Sequence, residues 1–466
     1  MRKFQWILGS ALLACTPGEM ESTSATSSGA SDVTTTTGVD SDSSTSVDPS
    51  TGATTEATTT TGATSTSTTG PESTSTTEGS TGAIGCGDGI AELGEVCFEP
   101  IELTELKYAS SIVAADMNED GHLDLVGVSV IPCPLVDDGA LSLAGAPRSP
   151  AGAPRDAASS FTVWIALGDG TGGFTPIFEV LPPFDEPSEA VVADFDGDGH
   201  LDVGLGAREY IDAWAPEALV FPGDGAGGLA DAHITPVDLS NLQIKAADVD
   251  GDQHVDLIAA GGGALTPLLG DGAGGFQVGP TIGEGHFGRP WIGDLDQDGD
   301  LDLLTLRRGE SPALVSFFGG GDGTFVAGDD VALTGTLYGP AVVDPAVGER
   351  PAVVVSTYES KVWFKTFAFE IGAGGGLEPP TLIPEVGGRF LATGSFDGGP
   401  RPDLLLVGGG ATVDVLVGAE PWPSGPTPAA EVRDTVGRPA IGDFDEDGVD
   451  DVVLLRYPLV LLRSNP

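Results

Sequence analysis

Val192-Ala193-Asp194-Phe195-Asp196-Gly197-Asp198-Gly199-His200-Leu201-Asp202-Val203-Gly204 places four carboxylates at positions 1, 3, 5 and 9 of a nine-residue loop, with apolar residues on either side. Its recurrence is what decides the fold. AADMNEDGHLDLV (114–126), AADVDGDQHVDLI (246–258), IGDLDQDGDLDLL (292–304) and IGDFDEDGVDDVV (441–453) repeat the pattern, and two eroded copies surround Asp344 and Ser395. After a first interval of 78 residues, the loop starts lie 46 to 54 residues apart. Self-similarity at such a period marks a repeat architecture.

Each unit carries a second mark. LGDGTGGF (167–174), PGDGAGGL (222–229), LGDGAGGF (269–276), GGGDGTF (319–325) and IGAGGGL (371–377) each separate two strand-like runs. Glycine reaches the positive φ that tight hairpins require. One unit therefore reads strand, acidic loop, strand, connection, strand, glycine turn, strand. Four short antiparallel strands per repeat are the pattern of a propeller blade. The expectation is an all-β, seven-bladed β-propeller of four-stranded antiparallel blades over residues 98–466. The last unit ends at 459–463, one strand short, while Phe98-Glu99-Pro100-Ile101-Glu102-Leu103 resembles the outer strand opened by Phe174. Closing the ring with 98–103 would remove an exposed edge.

The DxDxDGxxD loops and GDGxGGF turns resemble the FG-GAP/VCBS repeat family, the propeller class that includes the integrin α-subunit head. The resemblance covers about 103–466 and departs at both eroded loops, at Gln253 in place of the loop glycine, and in the final unit, which has no glycine turn. It implies a partner-binding face opposite the acidic loops. Some members of the family are lyases.

Asp side chains at positions 1, 3, 5 and 9, with a backbone carbonyl at 7, can converge on one ion. Hard oxygen donors in a flexible loop suit Ca²⁺ better than Mg²⁺ or zinc. About five sites are expected: Asp116, Asn118, Asp120, Asp124; Asp194, Asp196, Asp198, Asp202; Asp248, Asp250, Asp252, Asp256; Asp294, Asp296, Asp298, Asp302; and Asp443, Asp445, Asp447, Asp451. The loops at Asp344 and Ser395 are expected to be bare. An EF-hand would need a glutamate at position 12, where Gly127, Leu205, Ala259, Thr305 and Leu454 stand. A dinucleotide fingerprint would need a helix after the glycine turn, and a short strand follows instead. No catalytic constellation is legible. His122, His200 and His254 occupy loop position 7 and read as polar turn residues, and Trp164, Trp291 and Trp363 read as core.

The N-terminal quarter is organised differently. Arg2 and Lys3 precede an apolar run too short to span a bilayer, and Leu12-Leu13-Ala14-Cys15 resembles a bacterial lipobox. A signal peptide over 1–14 and lipidation of Cys15 are expected, so that membrane contact is through the anchor alone. Residues 15–83 are a Ser/Thr-rich stretch without hydrophobic periodicity and are expected to be a disordered stalk. Cys86 and Cys97 bracket a short Cys-rich segment, 84–97, and are a plausible disulfide in an exported chain. The segment resembles those of secreted myxobacterial proteins. Cys133 has no assigned partner.

Seventy acidic residues against 19 Lys and Arg give a formal charge of −51, which argues against nucleic acid as a partner. The scarce cations fall in the 2–3 and inter-blade connections, including Arg289, Arg307, Arg308 and Arg438, with Gly-Arg-Pro repeated at 288–290 and 437–439. The expected function is a monomeric, cell-surface binding or adhesion module for a protein or glycan, with an anionic partner in view. The alternative is an extracellular enzyme of polysaccharide lyase or hydrolase type on the same fold.

Overall fold

The computed structural model describes residues 96, 98–131, 160–180, 184–185, 187–209, 216–237, 242–343, 351–359, 362–384, 386–399, 401–407, 412–418, 427–432, 435 and 437–464. The signal peptide, Cys15, the Ser/Thr-rich stretch, Cys86, Cys97, Cys133, the segment 132–159 and the Asp344 loop lie outside the described residues.

Seven antiparallel sheets follow one another along the chain. The first blade runs from its inner strand outward as Ser111–Ala115, Asp124–Ile131, Ser160–Gly168 and Phe174–Val180. The next five repeat this meander. In blades two and four the inner strand is interrupted, and in blade three the outer strand is, so each of these gains a two-residue strand on the same neighbour. The seventh blade combines Ala440–Gly442, Asp451–Leu454 and Leu459–Ser464 with Phe98–Leu103. The register runs from Phe98 opposite Ser464 to Leu103 opposite Leu459, the closure expected from the sequence.

Short, β-branched and leucine-rich runs form these strands because both faces of each blade are covered. Seven apolar clusters hold the ring, one between every pair of neighbouring blades. Leu405, Val407, Val413 and Val415 of blade six meet Phe98, Val452, Val460 and Leu462 of blade seven. Trp164 is buried as expected; its indole N–H donates to Ser129 Oγ at 2.8 Å, and a Cβ at Gly127 would stand 2.0 Å from its ring. That position requires glycine for space.

Register fixes where the chemistry lies. In every blade, position 9 of the loop, or its equivalent, opens the second strand opposite the last residue of the inner strand: Asp124 faces Ala115, Asp302 faces Gly293, and Asp451 faces Gly442. The same backbone frame is rebuilt at each of the described loops.

Candidate metal loops and an axial layer of cations

Two hydrogen bonds from position 9 build each acidic loop. One carboxylate oxygen accepts from the amide of position 2, at 2.7–3.0 Å from Met117, Phe195, Val249, Leu295 and Phe444. The other accepts from the end of the third strand, at 2.6–2.8 Å from Gly168, Gly223, Gly270, Gly319 and Ser464. Asp124, Asp202, Asp256, Asp302 and Asp451 are all fully buried. The residue read from sequence as an ion ligand is therefore also a clamp between two turns. In blade seven the Ser464 amide takes the place of the glycine amide that the sequence lacks.

Position 1 closes the loop by accepting the amide of position 6 at 2.9–3.1 Å in all five copies. Position 6 has φ between 74° and 99°, including 74° at Gln253, so the loop does demand the left-handed conformation there. Position 4 demands it as well, with φ of 59° at Glu119, 66° at Gln297 and 59° at Glu446.

These turns bring carboxylate oxygens of positions 1, 3 and 9 within 4.8 Å of one another in four loops: Asp194, Asp196, Asp202; Asp248, Asp250, Asp256; Asp294, Asp296, Asp302; and Asp443, Asp445, Asp451. The fifth-position residues Asp198, Asp252, Asp298 and Asp447 stand outside these triads and accept the position-7 amide at 2.8–3.0 Å. In the first loop the neutral Asn118 donates to Asp120 at 2.9 Å, and Asp116 and Asp124 flank it without a third acid at position 3. The triads fit a hard cation. Asp445 Oδ1 is buried with no hydrogen-bond partner, although Arg463 Nε lies 3.8 Å from its other oxygen. Burial, then the neighbouring Asp298 charge, pushes the Asp296 carboxyl above its usual range, and burial lifts Asp451 to about 6. A bound cation would reverse both shifts. At the eroded Ser395 loop, Asp403 keeps the clamp, accepting from Phe396 at 2.8 Å and Gly418 at 2.7 Å.

Neighbouring loops are tied together. The glycine-turn amides of Gly172, Gly227, Gly274 and Gly323 donate to position-2 carbonyls of the preceding blade, at Phe444, Met117, Phe195 and Val249 respectively. The acidic loops and glycine turns thus share one face. His122 pairs with Glu446, and His200 with Glu119, again across a blade boundary, and each carboxylate holds its imidazole pKa above the usual value. Sequence reading gave these rings no such role.

The four arginines singled out from the sequence separate into two groups. Arg307 pairs with Asp330 at 2.7 Å and donates to the Ser311 carbonyl, and Arg308 lies against Gly288. Arg289 and Arg438 instead meet at Glu189: Arg289 forms a close ion pair with it, and Arg438 Nε lies 3.6 Å from its other oxygen. These three residues come from blades four, seven and two. Each stands five residues before its loop, as does Ser111 in blade one, so they are one layer of the repeat at the far end of the inner strands. They line a cavity of about 270 Å³ together with inner-strand residues of blades one, six and seven, including Ser110, Ser111, Leu391 and Ala440. Segments from blades one, two, four, six and seven can share a cavity only on the propeller axis. Glu189 and nearby Lys245 were not singled out from sequence; their signal is the repeat position, visible once the blades are aligned.

A family model for FG-GAP-like repeats matches residues 138–205 and 248–305. No curated protein matches the chain. Among solved structures, the chain is similar to an Agrocybe aegerita lectin recognising non-reducing terminal N-acetylglucosamine (12% identity, TM-score 0.46, 78% of this chain and 87% of that one). It is also similar to a Penicillium chrysogenum α-L-arabinanase complexed with arabinobiose (11%, TM-score 0.38, 61% and 93%). A third is the Aleuria aurantia lectin in complex with α-methyl-L-fucoside (9%, TM-score 0.35, 69% and 95%). This chain therefore carries FG-GAP-like repeats in two segments of a seven-bladed β-propeller.

Proposed function

We propose that the protein is a calcium-stabilised binding module that displays its propeller outside the cell. In this reading the Asp triads hold structural Ca²⁺ and the opposite face recognises a protein or glycan. The observation that carries it is the crowding of carboxylates, in four Asp triads, at one face and the meeting of two arginines, Arg289 and Arg438, with Glu189 at the other end of the inner strands. Carboxylates at this density oppose their own turns unless a cation joins them. Oxygen-only ligation in a turn, with a buried acceptor left over at Asp445, suits Ca²⁺. Export through the N-terminal apolar run and attachment at Cys15 would place the module in millimolar calcium, where extracellular sites of roughly 10⁻⁴–10⁻³ M affinity fill. A combined glycan and protein array probed with the full chain, with and without calcium, tests the reading. Calcium-dependent capture of a discrete ligand set is expected. Turnover of a captured polysaccharide, lost on changing one contact residue without loss of affinity, would replace binding by catalysis.

A further inference from the structure

The axial layer has more positive charge than its own structure uses. Among the described residues Glu189 is the one acid paired with Arg289 and Arg438, and Lys245 stands close enough on the inner strand of blade three to feel all three. Burial, and then the two guanidinium groups, pull the Lys245 ammonium down to about 8. One carboxylate is therefore shared among three cations. Arg289 Nε is also buried with no hydrogen-bond partner, while the same guanidinium holds Glu189 through Nη1. In the equivalent position of blade three, Gln243 Oε1 is buried and unpartnered too. Unpaired buried donors and acceptors are costly, and here they share one layer of the repeat, four of whose members, Ser111, Glu189, Arg289 and Arg438, line a cavity.

The cavity's other walls indicate what kind of molecule fits. Ile112, Ala190, Leu391 and Pro439 are apolar, and Ser110 and Ser111 bring hydroxyls. An inorganic oxyanion would leave the carbon surface wet, whereas an organic acid covers it. At about 270 Å³ the space lies just below the roughly 300–1,000 Å³ typical of drug-sized ligands, so a body near one sugar ring or two amino acids fits. A polyanion would meet repulsion everywhere else on a chain of net charge −51.

We propose, resting on the binding-module reading, that this cavity is a recognition site for a compact monocarboxylic acid, whose carboxylate competes with Glu189 for Arg289 and Arg438. The carboxylate pairs with Arg289 and Arg438, which both line the cavity, in the forked geometry that guanidinium groups give to planar oxyanions. Lys245 supplies charge rather than contact. Glu189 is the resident anion that keeps the cations paired when no ligand is present.

The sign of one substitution separates this from a purely structural knot. Titration calorimetry on the full chain in millimolar calcium, with sodium glucuronate as probe, should give saturable binding at one site per chain, and glucose should be silent. Arg438→Ala should weaken binding roughly tenfold, the size of one charge-assisted hydrogen bond. Glu189→Gln, which keeps the shape but removes the competitor, should tighten binding several-fold. A knot holding blades two, four and seven together would show lower melting temperatures in both variants and no such opposition in affinity. An N-acetyl dipeptide with a free C-terminus distinguishes a peptide end from a sugar acid; binding of either supports the site. Failure of both carboxylates to saturate overturns it, as does phosphate binding in their place or Glu189→Gln leaving affinity unchanged. Should Arg438→Ala not fold, Arg438→Lys and Glu189→Gln carry the test. Array capture that persists unchanged in Arg438→Ala would overturn the axial site and leave the module reading standing. Glucuronate binding by a chain that captures nothing on the array would support the site and count against the wider reading.

Discussion

The Gly172 amide donates to the Phe444 carbonyl at 2.9 Å, so the first blade's glycine turn hangs on the last blade's acidic loop. Phe174 from the same turn packs edge-on against Phe444 with ring centroids 5.4 Å apart. Equivalent bonds join blades one to two, two to three and three to four. Loop shape is thus not private to a blade. Any ion that fixes an acidic loop also fixes the seam with the next blade.

Calcium is accordingly expected to act on the whole ring. Chelation should lower the melting temperature, and millimolar calcium should restore it by mass action. A melting curve indifferent to calcium would remove the metal assignment.

Positions 3 and 9 should behave differently on substitution. Asp196→Ala removes a ligand from a half-buried site, so its effect should appear mainly in calcium and shrink in chelator. Asp202→Ala strands two amides, Phe195 and Gly223, each costing about 1–3 kcal/mol when left unpaired. Its loss should persist without calcium. Thermal melts of both variants with and without chelator decide the point.

Gln253 holds φ at 74° where the four sister loops have glycine, at Gly121, Gly199, Gly299 and Gly448. Gln253→Gly should stabilise the protein by roughly 1 kcal/mol through relief of that backbone strain, and tighten the third loop's affinity for calcium. Loss of stability in this variant would mean that the side chain makes a compensating contact.

Asp403 provides a pH signature in a loop expected to be bare. Burial lifts its carboxyl to about 6, above the unfolded value, so the folded state takes up a proton between about pH 4 and pH 6. The contribution of this group to stability is therefore present at low pH and declines as pH rises through that window, by roughly 1–3 kcal/mol. Asp403→Asn should flatten this slope in denaturant titrations at pH 4, 5, 6 and 7.

Deleting 98–103 should unfold or aggregate the chain. It removes Phe98, 3% exposed, from the seam between blades six and seven and leaves Leu459–Ser464 as an open edge. Deleting 20–80 should leave the melting temperature unchanged if that stretch makes no core contacts. Equal effects from the two deletions would overturn the boundary at residue 98.

Much of the fold was legible because the repeat exposes its own register. Asp202, Asp256 and Asp302 each open a strand, and the missing strand of the final unit pointed back to Phe98. The triads followed from the same alignment. The second left-handed residue at position 4 was hidden, since Glu119, Gln297 and Glu446 occupy it and only Gly197 and Gly251 betray it. The His200–Glu119 pair joins different blades and leaves no local trace. Arg289 and Arg307 look alike along the chain, yet one faces the axis and the other pairs with Asp330 at a blade's outer end. What separates them is position within the repeat, five residues before a loop against the end of a second strand.

Closure by the strand Phe98–Leu103 also sets the order of events during synthesis. Its partner, Leu459–Ser464, lies more than 350 residues downstream. At roughly 5–20 residues per second, the first strand waits from about twenty seconds to over a minute for its hydrogen-bonding edge to be made. Six blades can form in sequence from neighbours a few tens of residues apart, but the seventh joins chain segments of near-maximal separation, the slowest class of contact to establish. Until then the arc has two unsealed flanks, so the pairing of Leu459–Ser464 with Phe98–Leu103, rather than the folding of any single blade, is the step that completes the ring.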